Sequence, residues 1–290
     1  MIKYIIYETI IYLINILILS KKIIYIWKDN KFRLLDGDKI ASLAAGYIMD
    51  MAKIANIEVQ REDGSKSPLK IGVVQTAYAN GSSTDYLRNK LNVPVPFTQT
   101  GVKHLHHEAL KYDVGVYFEA NGHGTVLFSD PAIKAFKSAK GSTPEQEKAI
   151  ESLTGLTELI NQAVGDAISD MLLVEAILTV REWTLEQWDS QYTDLPSRQE
   201  KVKVADRHQF KCIKADTELE SPKELQDIIF AEVKKYPNGR CFVRPSGTED
   251  IVRVYAEADT RENADKLNYT ISGIVFDKFG GVGERPSYYL

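Results

Sequence analysis

The stretch LKIGVVQTAYANGSSTDYL, residues 69–87, passes from an apolar strand through a Gly- and Ser-rich loop into a helix. That order commits the surrounding chain to an α/β architecture. The neighbouring segments agree with it. YDVGVYFEANGHGTVLFSD, residues 112–130, reads as a buried strand, a loop bracketed by glycines and a returning strand. Residues 142–178 open with a cap at Ser142 or Thr143 and with Pro144 at the first helical position. Leu153, Leu156, Ile160, Ala163, Val164, Ala167 and Met171 then hold helical spacing, while Gly155 and Gly165 mark a break or close packing. Upstream, residues 21–54 read as two strands about a Lys-Asp-Asn turn and then a helix, with Asp38 as N-cap and Ile40, Leu43, Ala44 and Tyr47 buried. REDGSKSP (61–68) is a polar turn and a candidate boundary, and residues 183–199, containing DLPSRQ, read as an interdomain connector. The last ~100 residues alternate strand and helix. The expectation is α/β: an α/β/α layered domain with a mixed sheet, followed by a smaller α+β C-terminal domain.

A chain of 290 residues has room for two compact domains with real cores. A net charge of −4 and a pI near 5.8 leave no basic excess to neutralise a nucleic-acid backbone. Cys212 and Cys241 are too few for a disulfide framework, suit a reducing cytoplasm, and lack metal-type spacing. The first 22 residues are atypical, dominated by Ile, Tyr, Leu and Lys. Their apolar run, residues 5–19, is interrupted by Glu8 and Asn15 and falls short of the ~20 residues of a spanning helix. It has no small-residue cleavage site. A signal anchor and a β-rich core segment are weighed against sequence that is not native coding, which the abundance of Ile, Lys, Tyr and Asn, residue types specified by A/T-rich codons, favours.

Three stretches carry chemistry. In CFVRPSGTEDIVRVYAEA (241–258), Pro245 fixes φ, Gly247 permits a tight path, and Ser246 and Thr248 offer hydroxyls. Beyond it Ile251, Arg253, Tyr255 and Glu257 share one strand face and Val252, Val254 and Ala256 the other. Arg244 and Arg253 with the loop amides make a cage for a phosphate dianion; a polar hairpin with two surface arginines is the alternative. EANGHGT (119–125) places Glu119, Asn121 and His123 at alternate positions, with Gly122 and Gly124 letting a ligand approach. These side chains suit sugar hydroxyls; a tight hairpin with polar tips is the bland reading. TGVKHLHHEAL (100–110) sets Lys103, His104, His106 and His107 at a helix start, an anion or proton-transfer site rather than a zinc site, with His106 or His107 merely solvated. Asp36 and Asp38 of DGDKIA are declined as metal ligands, because two carboxylates before a helix are too few.

Together with LLDGDKIA, NQAVGDAISDMLLVEAIL and DLPSRQ followed by KVKVADR, in this order, these motifs resemble the α-D-phosphohexomutase superfamily, and within it the phosphoacetylglucosamine mutases. The resemblance runs from about residue 23 to about 280, and EANGHGT and KHLHH are specific to the acetylglucosamine branch. It implies four domains around one cleft, of which this chain would hold a second-domain remnant (23–66), a sugar-binding third domain (67–180), a connector (181–200) and a phosphate-binding fourth domain (201–290). It implies that Glu119, Asn121, Gly122 and His123 bind the sugar, that Arg244, Ser246, Gly247, Thr248 and Arg253 hold the phosphate, and that Lys103 and His104 lie by the transferring phosphoryl group, His104 carrying the proton. The family's phosphoserine loop (Ser-His-Asn-Pro type) and its Mg²⁺ loop (Asp-Gly-Asp-x-Asp-Arg) do not occur in this sequence. The implication is a cytoplasmic, monomeric, truncated mutase with a small sugar phosphate as partner, without membrane or nucleic acid, and inactive alone. A non-catalytic sugar-phosphate-binding protein is the alternative.

Overall fold

Asp36, not Asp38, starts the first helix of the computed structural model, which describes residues 24–28 and 31–287 and leaves the atypical segment 1–22 outside. The Asp36 carboxylate accepts the N–H groups of Asp38 and Lys39 at 3.0 and 3.3 Å. The sequence offers two aspartates one residue apart from glycine, and the first wins because only it reaches back over the first turn. The helix, Gly37–Ala55, ends at Asn56 in the left-handed conformation.

Two compact units follow from the packing, and neither is contiguous in sequence. Among the described residues, the first comprises those up to 75 together with 83–96 and 101–193; the second comprises 76–82, 97–100 and those from 194 onward.

In the first unit, strand Ile71–Thr76 runs parallel to Val114–Phe118, which is antiparallel to Gly124–Phe128, giving the mixed sheet expected. Val73, Val74, Val114, Val116 and Val126 are buried, as strands covered on both faces require. Helix Pro144–Leu159 is capped by Thr143, the second of the two candidates, and helix Ala167–Arg181 by Asp166. The break falls at residues 160–166, around Gly165, whereas Gly155 stays helical. The stretch read as a connector is largely structured. Leu185–Asp189 is a helix closed by a Thr184/Gln187 capping box, and Trp188 is buried with its indole N–H on the Lys39 carbonyl at 3.1 Å. The polar turn joins strands Glu58–Gln60 and Lys66–Pro68, and Arg61 clamps it to Asp113 with two bonds of 2.7 and 2.8 Å.

Burial pushes the Asp113 carboxyl up, but the Arg61 guanidinium and the Lys70 N–H outweigh it and hold the group below the usual carboxylate range. A depressed folded pKa contributes stability that is present above the unfolded value, near 3.9, and lost as pH falls through the folded one. Below about pH 4, wild-type stability should therefore drop more steeply than that of Asp113→Asn. Urea unfolding at a series of pH values checks this; parallel curves would count against the clamp.

The second unit is the smaller α+β body. Its sheet orders Arg240–Pro245, Ile251–Glu257 and Ser197–Lys203, all antiparallel. Val202, Val243, Val252, Val254 and Ala256 face the core with Leu225, Ile229, Leu267 and Ile271 of helices Lys223–Val233 and Arg261–Lys278. The opposite face carries Phe242 and Tyr255, against which Tyr78 packs edge-on with ring centroids 5.1 and 5.9 Å away. Arg240 fastens that segment, donating to the carbonyls of Ala77 and Ala79 and to both oxygens of buried Glu257. Glu257 in turn accepts the Gly81 N–H at 3.2 Å, and Asn80 exchanges two bonds with the Leu195 backbone.

Candidate functional site

The hairpin at Glu119 is built by its own backbone. Glu119 N–H donates to the His123 carbonyl and Gly122 N–H to the Glu119 carbonyl, both at 2.8 Å. Gly122 sits at φ +82°, where a side chain is strained. Asn121 Oδ1 accepts the His123 N–H at 3.0 Å and its Nδ2 donates to Glu119 Oε2 at 3.3 Å, so the amide shapes the turn as well as lining it. Gly165 lets the interhelix turn press on the hairpin: a Cβ there would meet the His123 ring at 2.7 Å. Glu119, Asn121 and His123 are thus brought together, partly exposed, on the hairpin between two buried strands.

Lys103 and His104 stand on another element, exposed in the first turn of helix Val102–Ala109, with His104 N–H on the Gly101 carbonyl. His106 is used structurally: its Nδ1 lies 3.0 Å from the Tyr117 hydroxyl, and the rings meet edge-on. His107 is exposed.

In the second unit the register sets Arg244 opposite Arg253 on adjacent strands, and Arg253 opposite Lys201 on the next. Directly opposed residues share a face, so three cations form one row. Between the arginines the chain turns through the Ser246–Asp250 loop. Ser246 is buried, and its hydroxyl accepts the N–H groups of Thr248 and Glu249, each at 3.3 Å. This shapes the loop and leaves the hydroxyl proton to donate, while Gly247 and Thr248 are exposed at the tip. Arg207 donates to the Gly247 carbonyl at 3.3 Å.

Sequence reasoning missed three residues of this neighbourhood. Asp216 is buried and accepts Arg244 Nε at 3.0 Å and Thr100 N–H at 3.0 Å. It lies at the end of three successive left-handed residues, Lys214, Ala215 and Asp216, at φ 49°, 56° and 68°. Burial pushes the Tyr78 phenol up, against the fields of Arg244 and Arg253, and its ring packs on Phe242 and Tyr255 of the same sheet face. Lys201 was visible only as one lysine of KVKVADR. Asp216 and Tyr78 stand 28 and 166 residues from Arg244, so no local pattern could have joined them.

Among the described residues no group of three or more His, Cys, Asp or Glu side chains could hold a metal ion, and the Asp36 carboxylate caps its helix. No helix of the described residues is long and apolar enough to cross a membrane.

Comparison with known proteins identifies the architecture in two stages. Residues 200–272 match the C-terminal domain of phosphoglucomutases and phosphomannomutases, which sets the class. Residues 36–183 match domain III of phosphoacetylglucosamine mutase AMG1, a span that takes in the Gly37–Ala55 helix assigned above to a second-domain remnant. The chain therefore belongs to the phosphoacetylglucosamine mutase family. It is 53% identical to the phosphoacetylglucosamine mutase of Sus scrofa over 270 residues, covering 92% of this chain and 48% of that protein. The N-acetylphosphoglucosamine mutase of Aspergillus fumigatus, solved with GlcNAc-6P and magnesium, superposes with a TM-score of 0.81 at 54% identity, over 87% of this chain and 49% of that one. An N-acetylglucosamine-phosphate mutase in its substrate complex gives 0.82 at 50% identity, over 88% and 47%. The chain spans about half the length of the relatives it matches.

Proposed function

We propose that this chain supplies the sugar- and phosphate-binding parts of an enzyme that interconverts N-acetylglucosamine 6-phosphate and 1-phosphate, in the cytoplasmic supply of UDP-N-acetylglucosamine. The observation that carries the reading is the register pair Arg244–Arg253 flanking the Ser246–Asp250 loop. Two forks on one sheet face, with a serine proton and exposed loop groups beside them, suit a phosphate dianion better than any uncharged ligand. The Glu119, Asn121 and His123 hairpin supports the sugar assignment, since a carboxylate, an amide and an imidazole accept and donate to vicinal hydroxyls. Lys103 and His104 are assigned to charge stabilisation and proton transfer at the phosphoryl group.

Isothermal titration calorimetry with N-acetylglucosamine 6-phosphate tests the loop. Wild type should bind and Arg244→Ala should bind at least tenfold more weakly; equal affinities would remove the assignment. In a coupled assay for 1-phosphate, the 290-residue chain should bind without turnover, because its sequence holds neither of the family's motifs for the phosphoserine and for Mg²⁺. Turnover abolished by Arg244→Ala would show that those motifs are dispensable.

A further inference from the structure

The two arginines of the loop are not equivalent. Arg244 has a buried carboxylate at its Nε, whereas among the described residues no carboxylate pairs with Arg253. We propose that Asp216 is a positioning residue of the anion loop, fixing the Arg244 guanidinium through Nε so that Nη1 and Nη2 form the fork that meets two phosphate oxygens. This rests on the reading of the loop given above and deepens it.

Three observations carry it. Asp216 Oδ2 is held from two directions, by Arg244 Nε at 3.0 Å and by the Thr100 N–H at 3.0 Å, so the carboxylate is itself fixed. Asp216 is only 7% exposed, so it is no loosely solvated counter-ion. Its delivery also requires a backbone that non-glycine residues avoid, with Lys214, Ala215 and Asp216 all left-handed. Such strain persists only where the surroundings fix it. A guanidinium can present either its Nε–Nη side or its Nη–Nη end to an oxyanion. With Nε taken, only the end remains, and the orientation of the bound phosphate is thereby chosen. The same carboxylate offsets one charge of the Arg244–Arg253–Lys201 row while no anion is bound.

A carboxylate that merely happened to lie near the anion would repel it, and its removal would tighten binding. The sign of the effect is therefore decisive. With N-acetylglucosamine 6-phosphate as probe, Asp216→Ala should weaken calorimetric affinity about tenfold. Asp216→Asn, whose amide oxygen still accepts from Nε, should lose about threefold. In an Arg244→Ala background Asp216→Ala should cost nothing more, because there is no fork left to orient. Unchanged or tighter binding by Asp216→Ala, or an equal loss in both backgrounds, overturns the proposal while leaving the loop assignment intact. If Arg244→Ala binds like wild type, the loop assignment fails and the positioning role fails with it. Should Asp216→Ala not fold, Asp216→Asn decides through the Arg244 Nε–H resonance, identified by its loss in Arg244→Ala. Its hydrogen exchange should quicken in Asp216→Asn, and an unchanged rate overturns the proposal.

Discussion

Replacing Lys39 with methionine should destabilise the first unit by about 3 kcal/mol, lowering its unfolding midpoint by roughly 6–12 °C. The side chain is fully buried, an unusual place for a lysine. Its ammonium donates to the carbonyls of Asp189 and Tyr192, lies 3.6 Å from the centre of the Tyr192 ring, and stands 4.0 Å from Asp189 Oδ1. Methionine fills the volume but leaves two buried carbonyls without a donor, and the desolvation of each is then uncompensated. Arg33 binds the same Asp189 with two bonds of 3.1 and 3.2 Å, yet its side chain is 38% exposed. Arg33→Met should therefore cost no more than about 1 kcal/mol. Urea unfolding followed by tryptophan fluorescence reads both, since Trp188 is buried beside Lys39. If Arg33→Met proved the more damaging, the helix Gly37–Ala55 would not be the anchor of residues 185–192.

Arg253→Ala should weaken binding of N-acetylglucosamine 6-phosphate by roughly 30- to 150-fold, the equivalent of about 2–3 kcal/mol for losing a charge-assisted fork. Arg253→Lys should recover part of that affinity but not all, because a point charge replaces a planar pair of donors. The loss should shrink as salt is raised, since part of it is the field of the row Arg244, Arg253 and Lys201. N-acetylglucosamine without phosphate should bind the variant and wild type alike. Calorimetry with both ligands at two salt concentrations separates these contributions. A variant equally impaired toward the uncharged sugar would place Arg253 elsewhere than at the phosphate.

What could be read from the sequence was whatever chain periodicity encodes. Alternation along Ile251–Glu257 put Val252, Val254 and Ala256 on the core side and Arg253 on the other, and the sheet keeps that division. The Gly-bracketed loop at residues 119–125 was visible because tight turns leave a glycine signature, as at Gly122. What escaped depends on contacts distant in sequence. Choosing Asp36 over Asp38 as N-cap needs the backbone path into the helix, and recognising residues 185–203 as packed structure needs Lys39 for Trp188 and Asp189 to pack against. Asp216 is one acidic residue in a turn until Arg244 arrives beside it.

The strap formed by residues 76–82 has a consequence for modularity. Arg240, Glu257 and Tyr255 are satisfied by backbone groups and by a ring that the chain contributes more than a hundred residues earlier, before most of the first unit has been laid down. A single cut at 193/194 therefore yields no intact C-terminal module: the excised piece would present a bare aromatic face around an ion pair that has lost its carbonyl partners. Recombination by one crossover would meet the same obstacle. The seven-residue strap belongs to the second unit although it lies far upstream in the chain, so that unit cannot be inherited as one contiguous piece.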